Sequence, residues 1–229
     1  MVNLPVAILS NDVELLKWFQ PHFETVFVLL HPFFAVSPDV YQQFTLSSAV
    51  PTRQEWRTLA KPITWLELTA RVGFSHRGML HTTLLQSFKT VRPDNTEAIR
   101  HLDQYLAEHH YLEPTNGTFD ELLLDSMLDA CALNDQSTVY LASAFDQSAH
   151  EQSIATIRSD PDVRLGMVQP VLWTVDQTVF FCVHWDSFYT CIAGPRATLT
   201  TWAKRYAWEG FFAEPGMMLF WEEEPGAKN

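Results

Sequence analysis

The chain has little of what several function classes require. Only 8 of its 229 residues are glycine, and no two glycines are adjacent or one residue apart. A phosphate-cradling loop, which needs clustered glycines for close backbone approach, is therefore excluded. There are 3 cysteines (Cys131, Cys182, Cys191) and no CxxC pair, so a disulfide framework is not expected and the thiols read as free in a reducing compartment. No apolar run reaches bilayer-spanning length, and no basic residue precedes the mildly apolar Met1–Ser10 stretch, so neither a membrane span nor a secretory signal is expected. Positive charge is also scarce. Against 27 acids stand 15 Lys and Arg, a net charge of −12, which disfavours nonspecific binding to nucleic acid or anionic membranes. A cytoplasmic location follows as the expectation.

What the chain does have is core material. Hydrophobic residues make up 47% of it and charged residues only 18%, with 8 Trp and 16 Phe. The apolar patterning predicts an α+β fold: a helical N-terminal half packed on a small, mainly antiparallel sheet with a C-terminal helix. Short strands are expected at Val6–Ser10 and Val26–Leu30, a helix at Asp12–Phe19, and a loop over Ser37–Val50 bracketed by Pro38 and Pro51. Thr52–Glu55, Thr64–Glu67 and Thr118–Glu121 have capping-box spacing, and Ser75 and Asp94 open further helices. Later come a strand at Thr138–Ser143, a helix at Ala149–Arg158 and strands at Val168–Thr174, Thr178–Trp185 and Phe188–Ala193. The pattern closes with a helix from Pro195 to Tyr206 and a strand at Met218–Trp221, followed by a frayed tail. The texture changes near Asn134, giving a mainly helical part (1–134) and an α+β part (135–229) with no linker between them, so one shared core is expected.

Charge is uneven along the chain. Residues 53–100 carry eight basic groups against four acids, whereas residues 101–163 carry twelve acids against Arg158 alone. Within the second stretch Glu121, Asp125 and Asp129 repeat at i, i+4 and i+8, opposite an apolar stripe of Leu124, Met127, Leu128 and Cys131. With Trp202 and Tyr206, spaced i, i+4 in an aromatic-rich C-terminal region, these acids are the candidates for contacting a basic protein partner. Solvation of the acidic face, and packing of the aromatic stripe, are the ordinary alternatives.

Residues 64–88 resemble the helix-turn-helix of bacterial regulators: Leu68–Val72, a Gly73 turn, then a Ser75-capped helix. That resemblance implies Arg71, His76, Arg77 and His81 as DNA-binding candidates. Thr69, where a small Ala is usual, and Thr83 depart from the pattern, and the second helix is poor in base-reading Asn, Gln and Arg. Chemistry-bearing motifs are few. The nine histidines form no HxxxH, HExxH or HxH, so no metal site and no cofactor is expected. His184, Asp186 and Ser187 sit together at a turn without a GxSxG elbow, and Cys182 shares a strand face with His184. Catalysis would then need a site assembled only by folding, and no catalytic residue is assigned.

Phe27-Val28-Leu29-Leu30-His31-Pro32, Pro62-Ile63-Thr64-Trp65 and Trp185-Asp186-Ser187-Phe188-Tyr189-Thr190 together resemble an uncharacterised bacterial domain-of-unknown-function family of similar length. The resemblance transfers no activity. The late strand–turn–strand–helix segment is similar in style to small immunity proteins, which are acidic, cytosolic and non-enzymatic. The leading expectation is thus a non-enzymatic, immunity-like binding protein, with a DNA-binding regulator or a fold-assembled enzyme as alternatives.

Overall fold

The computed structural model describes residues 14–46, 53–133, 136–143, 149–159 and 169–222. The elements in chain order begin with α1 (Leu15–Phe19), β1 (Thr25–Leu30), β2 (Phe33–Ala35), α2 (Pro38–Leu46), α3 (Arg53–Leu59), β3 (Lys61–Ile63), α4 (Trp65–Val72), α5 (Arg77–Ser87), α6 (Thr96–His109) and β4 (Tyr111–Leu112). They continue with α7 (Leu124–Ala132), β5 (Thr138–Ser143), β6 (His150–Ser153), α8 (Ile154–Ser159), β7 (Pro170–Thr174), β8 (Phe180–Cys182), β9 (Tyr189–Gly194), α9 (Arg196–Arg205) and β10 (Gly210–Phe212). The fold is α+β, with antiparallel pairing throughout both sheets. The expected strand at Val6–Ser10, the cap at Thr52, the texture boundary near Asn134 and the tail after Glu222 lie outside the described residues.

The chain divides into two compact units. The first comprises residues 1–31 and 115–219, the second residues 32–114 and 220–229. The first unit is built on a seven-stranded sheet in the order β10-β1-β9-β8-β7-β5-β6. One row of directly opposed residues, Phe27, Ile192, Phe181, Leu172 and Leu141, crosses five strands on a single face. The core that this row anchors takes in Met127 and Leu128 of α7, Ile157 of α8 and Leu199 and Trp202 of α9. On the other face an aromatic ladder runs Tyr140–Trp173–Phe180, with Phe19 and Phe23 set on Phe180 at 6.2 and 5.9 Å. Both faces being covered, β1 and β9 are buried at every position.

The second unit holds a three-stranded sheet, β3-β2-β4, and helices α2 to α6. Pro62 sits on the edge strand, where its missing donor costs nothing. Trp65, fully buried, is the centre of the packing, with Phe33 at 5.5 Å, His81 at 6.0 Å and Trp221 at 6.4 Å between ring centroids. Gly78 admits the segment around Glu222, whose backbone oxygen lies 1.8 Å from where a Cβ would stand.

Several expectations are corrected. Pro38 starts α2 rather than bounding a loop, because Ser37 Oγ accepts the Val40 amide (3.4 Å) and proline suits the first helical position. Ser75 is not the cap of α5; His76 is, its Nδ1 accepting the Met79 amide at 3.2 Å. The stretch expected as a helix from Ala149 begins instead with edge strand β6, paired to β5, and turns helical only at Ile154. The strand expected over Thr178–Trp185 shrinks to Phe180–Cys182. Met218 forms only an isolated bridge to Glu14, and the strand after α9 is β10.

Candidate functional site

The acidic segment opens on a cap the spacing did not predict. Instead of Thr118 and Glu121, it is the buried Asp120 whose Oδ1 accepts the Leu122 and Leu123 amides at 2.9 and 3.2 Å, while Oδ2 accepts the Thr115 hydroxyl at 2.8 Å. α7 begins at Leu124, after a turn at Glu121–Leu123, and its own first position is preceded by Leu123, which makes no side-chain capping bond. Glu121 stands in the turn ahead of the helix, with Asp125 in its first turn and Asp129 further along. Asp129 is exposed and ion-paired to Arg158 of α8. Tyr206 ends α9, with the Arg205 guanidinium 5.8 Å from its ring, and Asp129 and Arg158 both act on its hydroxyl electrostatically. Partial burial, ahead of those charges, raises the Tyr206 pKa. Tyr206 also stacks on Trp208 (5.5 Å), and the Trp208 indole N–H donates to Ser126 Oγ of α7 at 2.8 Å. The fold thus gathers Asp129 and Tyr206, 77 positions apart in sequence, into one patch with Arg158 and Arg205. Asp125 is half-buried in the turn before Asp129, whereas Trp202 is only 2% exposed and lies in the core against Phe181. Arg158 and Arg205 were not singled out in the sequence, because no local pattern links them to α7.

The helix-turn-helix segment folds as α4, a left-handed Gly73 (φ +82°) and α5. Thr64 caps α4, its Oγ1 accepting the Glu67 amide at 3.1 Å. Arg71 is ion-paired with Glu67 at 2.5 Å and donates to the Tyr111 hydroxyl. His76 is spent on capping α5, and Arg77 is half-buried. His81 is fully buried, donates from Nδ1 to the Trp221 carbonyl at 2.8 Å and stacks on that indole at 4.3 Å. Seven of the eleven residues of α5 are buried.

A third grouping is sealed inside the first unit. His31 is fully buried; its Nδ1 faces the Thr115 carbonyl at 2.7 Å and its Nε2 the Thr190 hydroxyl at 2.9 Å. A carbonyl only accepts, so the neutral imidazole carries its proton on Nδ1, and Thr190 donates to Nε2. Burial holds this imidazole neutral, with its pKa lowered to about 4, and pushes the Asp120 carboxyl up to about 7 against its three donors. Cys182 and Cys191, directly opposed on β8 and β9, are free and buried. His184 Nδ1 accepts the Asp186 amide at 3.2 Å rather than meeting the Asp186 carboxylate.

A model of a family described as a protein of unknown function, DUF2711, matches residues 11–223. The chain belongs to the DUF2711 family. No curated protein and no solved structure matches it. The family name brings no chemistry, so the side chains must supply it. This DUF2711 chain has, among its described residues, no group of three or more His, Cys, Asp and Glu placed to hold a metal ion, and no helix long and apolar enough to cross a membrane. It does have a groove of about 390 Å³ in the second unit, between the Gly73 turn and α6. Val72, Phe74 and Ala98 form its apolar floor; Glu97, Arg100 and Gln104 of α6 line its polar side.

Proposed function

We infer that this DUF2711 protein is a non-enzymatic binding protein whose first unit docks a basic protein partner through the Asp129–Tyr206 patch. One observation carries the reading: Asp129 and Tyr206 converge with Arg158 and Arg205 at an accessible surface over the core. Tyrosine and arginine exposed over a rigid core belong to the composition of interface centres. The first unit contains 16 of the 27 acids but only 6 of the 15 bases, a net charge of −10, so its long-range field attracts cations. His31, Thr190 and the Cys182–Cys191 pair are sealed from solvent. Free buried thiols suit a reducing, cytoplasmic setting. An immunity-type role, covering a basic toxin, is the form of binding this surface suits. DNA reading is the weaker alternative, because α5 is largely buried and Arg71 and His76 are already engaged.

The test is co-purification from the native cell, followed by titration of the recovered partner. A basic partner should bind at least about tenfold more weakly to Tyr206→Ala and to Asp129→Lys, with affinity falling as salt rises. The Asp39→Lys change, in the second unit, should leave it unaltered. A partner whose affinity ignores both patch substitutions would overturn the reading.

A further inference from the structure

The groove beside α6 has a charge arrangement that internal packing does not use. Glu97 and Arg100 stand at i and i+3, a spacing at which opposite charges on a helix readily pair. Among the described residues neither forms an ion pair, and both line the groove. They are exposed, whereas the floor beside them is apolar: Val72, Phe74 and Ala98 are each at most 9% exposed, and half-buried Met79 adds a flexible thioether chain. The groove's shape is fixed from below. His101, also in its lining, donates from Nε2 to the Val72 carbonyl at 3.0 Å and rests against the Phe74 ring at 6.3 Å. Gly73, left-handed with nothing within 4 Å of a Cβ position, keeps the mouth clear.

Each feature narrows the ligand. A guanidinium with no ion-pair partner among the described residues favours a carboxylate, which it holds through two parallel N–H donors. The adjacent carboxylate of Glu97 favours an ammonium group. Phe74 and Met79 favour a hydrocarbon or thioether side chain. The volume, about 390 Å³, lies at the small end of the range of ligand sites. We propose that the groove between Gly73 and α6 binds a free apolar α-amino acid, its carboxylate on Arg100, its ammonium on Glu97 and its side chain on Phe74 and Met79. This site lies in the second unit, apart from the residues of the partner patch, and stands or falls independently of it.

The experiment uses the full chain, labelled with ¹⁵N and titrated with L-leucine, L-methionine and L-phenylalanine, each to about 20 mM, since a groove this small and open supports millimolar affinity. Saturable amide shifts are expected at residues 72–79 and 95–104. Three analogues dissect the recognition. Leucinamide lacks the carboxylate, N-acetyl-leucine lacks the ammonium, and isocaproate retains only a carboxylate and a hydrocarbon chain. Each should bind at least about tenfold more weakly than leucine, as should leucine to Arg100→Gln and Glu97→Gln, because each change strands one charge-assisted hydrogen bond. Arg92→Gln, a neighbouring arginine outside the groove lining, should leave leucine binding within about twofold. Absence of saturable shifts with all three amino acids would overturn the proposal. So would isocaproate binding as well as leucine, or leucine binding undiminished by both α6 substitutions in variants whose remaining spectrum matches the parent.

Discussion

The two units handle buried polar groups by one rule and surface charge by two. Each contains one fully buried imidazole, His31 in the first and His81 in the second, held to a backbone carbonyl and lowered to about pKa 4 by burial. Each also contains one carboxyl raised to about 7, Asp120 in the first and Glu113 in the second. The first unit, however, has a net charge of −10 and the second only −2. The lesson is that interior chemistry follows from what the chain must bury, while surface charge is free to differ with what each unit meets.

The packing side of this comparison breaks most readily at two glycines, one per unit. Gly210→Ala would set a Cβ 2.1 Å from the Val28 carbonyl oxygen in the first unit, and Gly78→Ala one 1.8 Å from that of Glu222 in the second. Backbone cannot swing aside as a flexible side chain can, so each substitution should cost about 3 kcal/mol or more in urea unfolding. Gly73→Ala meets no atom and bears only left-handed strain, which should cost about 1 kcal/mol. Equal losses at all three sites would show that backbone approach is not what selects glycine at positions 78 and 210.

The titration side sharpens with pH. Between pH 6.5 and about 4 the unfolded chain takes up protons that buried His31 and His81 refuse, so each lowers stability as pH falls through that window. Asp120 and Glu113 act in the opposite sense. Folded, they keep protons that the unfolded chain releases above pH 3.8 and 4.5, so each lowers stability as pH rises towards 7. Between about pH 4.5 and 6.5 the two pairs offset; from 6.5 to 7 only the carboxyls act. Asp120→Asn removes one side of the balance. Relative to the parent it should gain about 2–3 kcal/mol on going from pH 5 to pH 8, with Glu113→Gln showing the same sign and a somewhat smaller gain because the unfolded glutamate already releases its proton at a higher pH. An Asp120→Asn difference that does not change with pH would mean that its three donors outweigh desolvation, ending the parallel between the units.

Local sequence made some of this legible and tertiary contact hid the rest. Val26–Leu30 reads as a strand because a strand covered on both faces is apolar at every position, and Thr64 and Gly73 read as helix ends because capping is settled within four residues. β6 did not read as a strand: His150–Ser153 is a polar edge paired to β5, and nothing within it alternates. Of the proposed patch, Asp129 and Tyr206 stood out by their helical spacing, but Arg158 and Arg205 join them through α8 and the end of α9. The groove gave no signal in the sequence, since Phe74 and Arg100 lie 26 positions apart in different elements.

The smallest effect separates spacing from geometry at two helix starts in the second unit. α4 and α5 both follow a hydroxyl residue, but only Thr64 Oγ1 receives an amide, that of Glu67. Ser75 lies one position too early; its hydroxyl reaches only the Met79 sulfur at 3.8 Å, a weak acceptor, and His76 takes the Met79 amide instead. Thr64→Ala should therefore cost about 1 kcal/mol, and Ser75→Ala less than about 0.5 kcal/mol, in urea unfolding at pH 8. His76→Ala should cost more than Ser75→Ala, because it removes the acceptor of the Met79 amide. If Ser75→Ala is instead the costlier of the pair, the hydroxyl caps α5 in solution and the helix begins one residue earlier.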